Sequence, residues 1–274
     1  GVELVRIEGD DGRLPWESDR NTASIAAMRT LDLAGVQVGV ELELYKGLPL
    51  CSGLGSSAAS AAAAAFAVNQ LVGGPLRKMQ LIAPCIEAEA AVSGRHADNV
   101  APALLGGLVL VRSVDPPDVV RLPVPPGLTI AVVTPTFELP TREARAVLPA
   151  QVSLQTMVQT SAQLASLVSA CYSGDTSLLG RCLVDHVVTP ARAPLIPGAE
   201  DAMRAALSVG ALGSSISGAG PSLFALCRSE RSAQSAASSM VSEFERAGLD
   251  STIRISPALC PGVRRVKPPQ EASG

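Results

Sequence analysis

A glycine- and serine-rich stretch offers the clearest chemistry in the sequence. Residues 49–59 read PLCSGLGSSAA and separate an alternating apolar segment from a long alanine-rich one. Glycine lets the backbone approach an anion without a Cβ in the way, and the free N–H groups of a helix start bind phosphate. The hydroxyls of Ser56 and Ser57 add donors, and such a hydroxyl can also bind Mg²⁺. A tight turn with serine caps would look the same, so the stretch alone leaves both interpretations open. It contains no GK[ST] and is not a Walker loop.

A second polar group follows on a predicted helix. Six residues separate Glu89 from His96, and Asp98 and Asn99 come shortly after. Phosphoryl transfer needs a carboxylate that holds Mg²⁺ against the phosphates, which Glu89 could supply. Asp98 and Asn99 offer an acceptor and an amide suited to the ammonium and hydroxyl groups of an amino acid. For His96 a structural hydrogen bond fits as well as substrate contact, and we interpret Glu87 as part of a solvated helix face.

Two arginine-containing segments could bind a carboxylate, TREAR at 141–145 and PARAP at 190–194. The guanidinium fork binds a carboxylate through two hydrogen bonds, although most arginines are simply surface charges. We favour Arg192, because the prolines on both sides are expected to hold it in an extended loop. A second glycine-rich loop, SSISGAGPS at 214–222, could lie close to a phosphate or brace the first loop.

Length and composition narrow the class of protein. The 274 residues suffice for two lobes, and 47% hydrophobic with 17% charged residues favours a packed globule. A net charge of −3 with scattered basic residues makes nucleic acid an unexpected partner. The longest apolar stretch, 58–68, is too short to cross a membrane. The six cysteines form no CxxC pair and, with two histidines, no zinc pattern, so we expect reduced packing residues.

Apolar periodicity predicts the elements that position these groups. Strands are predicted at 1–8, 37–45, 101–112 and 128–134. Helices are predicted at 19–33, capped by Asp19, and at 57–72, 76–93, 153–173, 175–185, 199–210 and 231–247. The proline-rich segment 115–127 is predicted to be a turn at the boundary between lobes 1–125 and 126–274. The polar tail from 266 to 274 is expected to fray.

Taken in this order, the segments resemble the conserved blocks of GHMP kinases. GLGSSAA resembles the phosphate loop of that superfamily and ISGAGPS its C-terminal glycine motif. SGRHADNVAPALLGG, LPTREAR, PARAPLIPG and SISGAGPS together resemble plant-type homoserine kinases more than mevalonate, galactokinase-type or isoprenoid kinases. The resemblance runs from about residue 5 to 266. It implies an α+β GHMP kinase fold with a ribosomal-protein-like N-terminal lobe, a ferredoxin-like C-terminal lobe, and ATP and homoserine in the cleft between them.

The resemblance also implies a reaction and its residues. The γ-phosphoryl group of ATP passes to the side-chain hydroxyl of homoserine, on the route to threonine. Mg²⁺ is assigned to Ser57 and Glu89. The ATP loop comprises Pro49, Leu50, Cys51, Ser52, Gly53, Leu54, Gly55, Ser56, Ser57, Ala58 and Ala59. Homoserine contacts are assigned to His96, Asp98, Asn99, Thr141, Arg145, Arg192 and Gly218. Positioning and charge neutralisation carry most of such catalysis, so Asp98 is the only catalytic base we consider.

Alternatives to this reading are a GHMP kinase for another small hydroxyl substrate and a non-catalytic ATP-binding relative. A homodimer is left open as an assembly, while nucleic acid and membranes are not expected as partners. Family members begin with a PATxANLGPGFD-type block that contributes an Asn and an Asp to the substrate site, and nothing here matches it. We therefore expect a fragment, or a protein with an incomplete substrate pocket, that binds MgATP weakly and turns homoserine over poorly. The plant-like PARAPLIPG and AEAAVSGRHADN predict a plastid-stromal enzyme with an upstream transit peptide, the alternative being a cytoplasmic one.

Overall fold

A computed structural model describes residues 1–266, and its contacts divide the chain into two compact units. Of the described residues, the first unit contains Gly1–Lys46, Ser57–Val119 and 261–266, and the second contains Gly47–Ser56 and Val120–Cys260. These units differ from the predicted lobes 1–125 and 126–274 in three places, one of which is the boundary, at 119/120 instead of 125/126. The glycine-rich residues 47–56 belong to the second unit, and the chain after Cys260 returns to the first. The expectation for the tail falls almost wholly on residues 267–274, which lie outside the described residues.

Two parallel strands begin the first unit. β1 (Val2–Glu8) and β2 (Val40–Tyr45) pair with Val2 opposite Val40. A parallel pair needs a crossing connection, which helix α1 (Thr22–Ala34) supplies. The chain then forms α2 (Ser56–Leu71), α3 (Ile82–Ala90), α4 (Val100–Leu105), and a two-stranded sheet of β3 (Leu108–Val114) and β4 (Pro117–Leu122).

Small side chains build the core of the first unit. On α2, buried Ala58, Ala61, Ala62 and Ala65 recur at helical spacing and pack with residues of α1, α3 and α4. Because alanine has only a methyl group, neighbouring helix backbones can approach closely. This explains how a chain with only 3% aromatic residues still buries a core.

A four-stranded antiparallel sheet organises the second unit. Its strands are, in order across the sheet, β6 (Gly213–Ile216), β7 (Leu223–Cys227), β5 (Thr129–Pro135) and β8 (Ser251–Pro257). Helix α10 (Glu230–Arg246) packs on β5, β7 and β8. The chain passes from β5 through helices to β6 and β7, and then through α10 to β8, a β-α-β-β-α-β succession. The helices are α5 (Thr141–Ala146), α6 (Leu154–Ser173), α7 (Thr176–Arg181), α8 (Val188–Arg192), α9 (Ala199–Ser208) and α10 (Glu230–Arg246), with a 3-10 turn at Ala193–Leu195.

Several predicted elements begin or end elsewhere. Helix α1 is capped by Asn21, not Asp19, because the Asn21 side chain accepts from the Ala23 N–H. The predicted strand 101–112 was wrong in its first half, which forms α4; Gly106 and Gly107, both at positive φ, end that helix before β3. The segment predicted as a turn, 115–127, contains β4, and the helix predicted at 76–93 is α3 alone.

The cysteines are free thiols, of which Cys85, Cys171, Cys182 and Cys227 are buried. That burial agrees with the packing role predicted for them, whereas Cys51 is exposed. Within residues 1–266, no helix combines the length and the apolar character needed to span a bilayer.

Candidate active site

The glycine-rich loop predicted to bind phosphate is a sharply turning segment ahead of α2. Cys51, Gly53 and Gly55 all have positive φ. Glycine adopts this conformation without steric cost, which explains why positions 53 and 55 are glycines. The Ser52 hydroxyl donates to the Pro49 carbonyl at 2.9 Å, and the Ser56 hydroxyl donates to the Leu48 carbonyl at 3.0 Å. The first-turn N–H groups of α2 follow directly, and such groups have no partner within their own helix. The loop is therefore a sharply turned segment that leads directly into the first turn of α2.

The second glycine-rich loop braces the first. The Ser217 hydroxyl donates to the Gly53 carbonyl at 2.9 Å, and the Ser222 N–H donates to the Ser52 carbonyl at 3.2 Å. A Cβ on Gly53 would come within 3.0 Å of Ser217 O and of Gly220 N and O. Of the two roles considered for residues 214–222, the structure thus supports bracing. Gly53 is needed for this close approach between backbones.

Glu89 is a buried carboxylate with one oxygen available. It is only 2% exposed on α3; its Oε2 accepts from the Ser93 hydroxyl at 3.0 Å, and its Oε1 has no hydrogen-bond partner among the described residues. A buried anion without a partner is costly, so this oxygen fits a cation ligand. No group of three or more His, Cys, Asp or Glu side chains in residues 1–266 could hold a metal by itself. Mg²⁺ commonly takes one or two carboxylates and completes its shell with phosphate oxygens and water, which suits a single Glu89.

Lys46 lies in the same unit as Glu89, directly after β2. It was not predicted as a site residue. Its ammonium donates to the Ser60 hydroxyl at 2.6 Å. Burial lowers the pKa of Lys46 to about 8, against the opposing pull of the Glu89 and Asp10 carboxylates. Its place at a strand end, directly before the glycine-rich loop, is the sequence signal that could have found it.

His96, Asp98 and Asn99 lie between α3 and α4. His96 Nε2 is 2.9 Å from the Ser93 hydroxyl, and His96 Nδ1 is 3.2 Å from Asp98 Oδ1. The Asp98 side chain is 72% exposed, and Asn99 precedes α4 without donating or accepting a capping hydrogen bond. The structure therefore connects His96 to Glu89 through Ser93. This is a structural hydrogen bond of the kind that we considered for His96 beside substrate contact. Glu87 pairs with Arg29 at 2.9 Å on a partly exposed face. This agrees with our interpretation of Glu87 as part of a solvated helix face.

Arg192 does not lie in an extended loop as predicted, but ends helix α8. Pro190 is accommodated in the first turn of α8, where its missing N–H costs nothing. The Asp185 carboxylate caps this helix by accepting from the N–H groups of Val187, Val188 and Thr189. Asp185 was not singled out from the sequence, where it falls at the end of a predicted helix.

The Arg192 side chain bridges two segments of the second unit. It is 9% exposed, with Nε donating to the Ala144 carbonyl and Nη1 to the Gly218 carbonyl, both at 2.8 Å. Burial and the charge of Arg145 lower the Arg192 pKa, and Asp185 opposes them. Within the described residues no carboxylate forms an ion pair with Arg192. Arg192, Arg145 and Gly218 are thus brought together, while Thr141 begins α5.

The roles assigned to these residues in binding ATP, Mg²⁺ and homoserine stay predictions. What the structure supplies is their grouping. Glu89 and His96 are joined in the first unit, and Arg192, Arg145 and Gly218 in the second. Three residues were missed as site residues: Ser93, which joins Glu89 to His96; Asp185, which caps the helix that ends at Arg192; and Lys46.

Comparison with known proteins identifies the family. Residues 21–107 match the family described as GHMP kinases N terminal domain, and residues 167–246 match GHMP kinases C terminal. The chain is 43% identical over 272 residues to a homoserine kinase of Chlorobium phaeobacteroides, covering 96% of this chain and 85% of that protein. It is 47% identical over 251 residues to a homoserine kinase of Arabidopsis thaliana, covering 90% and 68%.

A solved structure agrees with these matches. The crystal structure of homoserine kinase from Cytophaga hutchinsonii superimposes with a TM-score of 0.90 at 46% identity, covering 93% of this chain and 82% of that one. Mevalonate kinase of L. major, at 18% identity and a TM-score of 0.64, shares the fold alone. The predicted GHMP kinase fold is confirmed, and the chain belongs to the homoserine kinase family of GHMP kinases.

Proposed function

We propose that this protein transfers the γ-phosphoryl group of ATP to the side-chain hydroxyl of L-homoserine and releases O-phospho-L-homoserine. The names of its relatives support the substrate, and one observation carries the proposal further. Arg192 is a nearly buried guanidinium that has no carboxylate partner among the described residues and stands near a second arginine. Such an arrangement favours a bound anion.

The geometry of Arg192 fits a carboxylate. A guanidinium has five N–H donors, and two of these are taken by the carbonyls of Ala144 and Gly218. The remaining donors are held in place by those two bonds and can bind the α-carboxylate of homoserine. Arg145 adds positive charge to the same surroundings. Asp98 and Asn99, which the resemblance assigns to homoserine, lie in the first unit and stay predicted contacts.

ATP and Mg²⁺ fit residues of this chain as well. Loop residues 49–59 would hold the phosphates through backbone N–H groups, and Glu89 Oε1 with the Ser57 hydroxyl would hold Mg²⁺. When bound, Mg²⁺ neutralises charge on the phosphates during transfer. The protein's own contribution is to orient the homoserine hydroxyl, with Asp98 as the only candidate to accept its proton.

Substrate analogues test the proposal. In a coupled assay with MgATP, we expect turnover with L-homoserine and none with galactose or mevalonate. Removing the carboxylate, as in 3-amino-1-propanol, should cost about 2–5 kcal/mol in kcat/KM. The analogue 4-hydroxybutyrate removes the ammonium instead. Efficient turnover of another alcohol would assign a different substrate, and MgATP binding without any turnover would favour the non-catalytic alternative.

The homodimer and the location in plastid stroma or cytoplasm stay predictions. Sedimentation equilibrium would test the first, and imaging of a fluorescent fusion of the encoded protein would test the second.

A further inference from the structure

Ser93 stands between two polar side chains: Glu89, which we propose holds Mg²⁺, and His96, which the family resemblance assigns to homoserine. Its hydroxyl lies 3.0 Å from Glu89 Oε2 and 2.9 Å from His96 Nε2. The backbone holds this arrangement, because the N–H groups of Val92, Ser93 and Gly94 all approach the Glu89 carbonyl, at 3.0, 2.8 and 3.1 Å. Gly94, at a φ of 108°, then turns the chain.

The number of protons decides the direction of these hydrogen bonds. A serine hydroxyl has one proton, and an ionised carboxylate can only accept. With Glu89 ionised, as a cation ligand must be, the Ser93 proton goes to Oε2 at 3.0 Å, because the Glu89 carbonyl, the other acceptor, is 3.5 Å away. The Ser93 oxygen then accepts from a proton on His96 Nε2. In a neutral imidazole only one nitrogen carries a proton, so Nδ1 is left with a lone pair.

The surroundings of Nδ1 agree with this tautomer. Nδ1 is buried without a hydrogen-bond partner among the described residues, although Asp98 Oδ1 is 3.2 Å away. A lone pair on Nδ1 and a carboxylate oxygen are both acceptors, so neither can satisfy the other. Two adjacent acceptors match a ligand group that donates, such as an ammonium or a hydroxyl.

We propose that Ser93 is a positioning residue that couples the Glu89 carboxylate to His96. By donating to Oε2 it holds Glu89 with Oε1 available for a cation, and by accepting from Nε2 it keeps Nδ1 of His96 as an acceptor beside Asp98. This inference rests on the proposed function for its kinetic consequence, but its tautomer and cation-binding consequences do not depend on homoserine. Residues that orient metal ligands typically change metal affinity or activity by roughly 10–100-fold when removed.

Histidine NMR gives the most direct test. The chain has two histidines, so ¹⁵N-histidine labelling produces two ring systems, and His186→Gln assigns them. At about pH 8, above the usual range of histidine protonation, wild-type His96 should show the Nε2–H tautomer. Ser93→Ala should give a mixture of tautomers, and Ser93→Thr, which keeps the hydroxyl, should restore the wild-type signal. A wild-type His96 that is protonated on Nδ1 would overturn the proposal.

Cation dependence and kinetics supply the second readout. In Ser93→Ala we expect the Mg²⁺ concentration for half-maximal nucleotide binding, measured by calorimetry, to rise roughly tenfold. The KM for homoserine should rise by a similar factor, with Ser93→Thr close to wild type. Ser235→Ala removes an exposed hydroxyl bonded to a helix carbonyl and should change neither quantity.

These readouts separate the two proposals. If wild-type protein fails to phosphorylate homoserine, the proposed function fails, while the tautomer and the Mg²⁺ titration still decide the role of Ser93. Unchanged tautomer and Mg²⁺ dependence in Ser93→Ala would reject that role whatever the substrate. Should Ser93→Ala fail to fold, the wild-type tautomer and the behaviour of Ser93→Thr decide alone.

Discussion

At the scale of single residues, Arg192 and Lys46 show how burial changes what a charge can do. Both cations have lost solvent, and burial lowers the pKa of each. Arg192 keeps its charge because guanidinium is so basic, and two carbonyls hold its plane in place. Lys46 lies close enough to neutrality for its protonation to depend on pH.

Replacing Arg192 with lysine should weaken homoserine binding much more than ATP binding. A lysine ammonium is a point charge that cannot hold the Ala144 and Gly218 carbonyls and a carboxylate with the same planar fork. We expect a loss of about 2–5 kcal/mol in kcat/KM for homoserine. Steady-state kinetics with each substrate varied provide the measurement. Arg204→Lys, on the exposed face of α9, is the control, and an equal rise of both Michaelis constants would contradict the assignment.

Lys46 should make stability depend on pH above about 8. Its folded pKa is about 8 against an ordinary 10.5. Between these values the unfolded chain binds more protons than the folded one, so the free energy of unfolding rises with pH across this range. Lys46→Met should lack this rise. Urea unfolding of both proteins at intervals from about pH 7 to 10 measures the difference, with Lys78→Met as the control lysine. If the free energy of unfolding changes with pH in the same way for wild type and Lys46→Met, Lys46 keeps its proton in the folded state over this pH range.

At the scale of elements, the site depends on loops and short helices held by a few backbone contacts. The glycine-rich loop is anchored by the loop between β6 and β7, and α8 is anchored by the Asp185 carboxylate. Neither anchor is part of a strand or a long helix. Substitutions at these anchors should therefore impair function more than they impair the fold.

Gly53→Ala should displace the glycine-rich loop and weaken MgATP binding by roughly 100-fold, as expected when a binding group moves by about 1 Å. The reason is a clash between the new Cβ and the backbone of Ser217 and Gly220. Gly174→Ala is a matched control, because Gly174 also has a positive φ but has open space around it. Calorimetry with a non-hydrolysable ATP analogue gives the affinities. Equal, small effects of the two substitutions would mean that only backbone strain matters at Gly53.

Asp185→Ala should destabilise the protein by about 1–2 kcal/mol through loss of the α8 cap, and should also raise the KM for homoserine. Burial disfavours the charged carboxylate, but the three N–H donors outweigh it and lower the pKa of Asp185. The stabilisation is thus present above the ordinary aspartate pKa and is lost as pH falls through the lower folded value.

Asp175→Ala separates the two effects of Asp185. Asp175 caps α7 through one bond to the Leu178 N–H, and α7 contains none of the residues assigned to homoserine. Its loss should lower stability without changing the KM for homoserine. If Asp185→Ala leaves that KM unchanged as well, Asp185 is a structural cap only.

At the scale of the whole molecule, chain segments distant in sequence complete each unit. The segment after β8 packs on α4: Gly106 pairs with Pro261, and the Val263 N–H donates to the Ala103 carbonyl at 2.8 Å. The Lys78 ammonium donates to the Val263 carbonyl at 2.6 Å. The first unit therefore depends on residues from the far end of the described chain.

Gly262→Ala should destabilise the first unit by about 1–3 kcal/mol, because its Cβ would meet the backbone of Leu104 and Gly106 at less than 3.0 Å. Gly39→Ala is the control, since Gly39 has neither a positive φ nor a neighbour within 4 Å. Hydrogen exchange should show reduced protection of α4 in Gly262→Ala. Unchanged protection of α4 would mean that the segment after β8 does not support it.

The sequence by itself was enough for the family and for most long elements. The family was identified because GLGSSAA, SGRHADNVAPALLGG, LPTREAR and PARAPLIPG resemble its conserved blocks. The residue types alone left a tight turn and surface arginines open as alternatives. Strong apolar periodicity located α1, α2, α6 and α10 nearly correctly. Short elements failed: α4 was predicted as strand, and α8 as extended loop. In a stretch of five or six residues, apolar periodicity does not distinguish a helix from a strand. The capping residues and the neighbouring elements then decide which of the two forms.

Only the tertiary structure decided which polar groups act on one another. The bond from Ser217 to Gly53 spans 164 residues of chain, and that from Arg192 to Ala144 spans 48. No local pattern encodes such pairs, because they depend on how the sheet and helices bring loops together. Burial was equally invisible in the sequence: Glu89 and Glu87 are two residues apart, yet one is enclosed with an available oxygen and the other pairs with Arg29 on a partly exposed face. Residue type thus determined which chemistry is available, and packing determined which residues can perform it, since desolvation and distance set the strength of every charge and hydrogen bond.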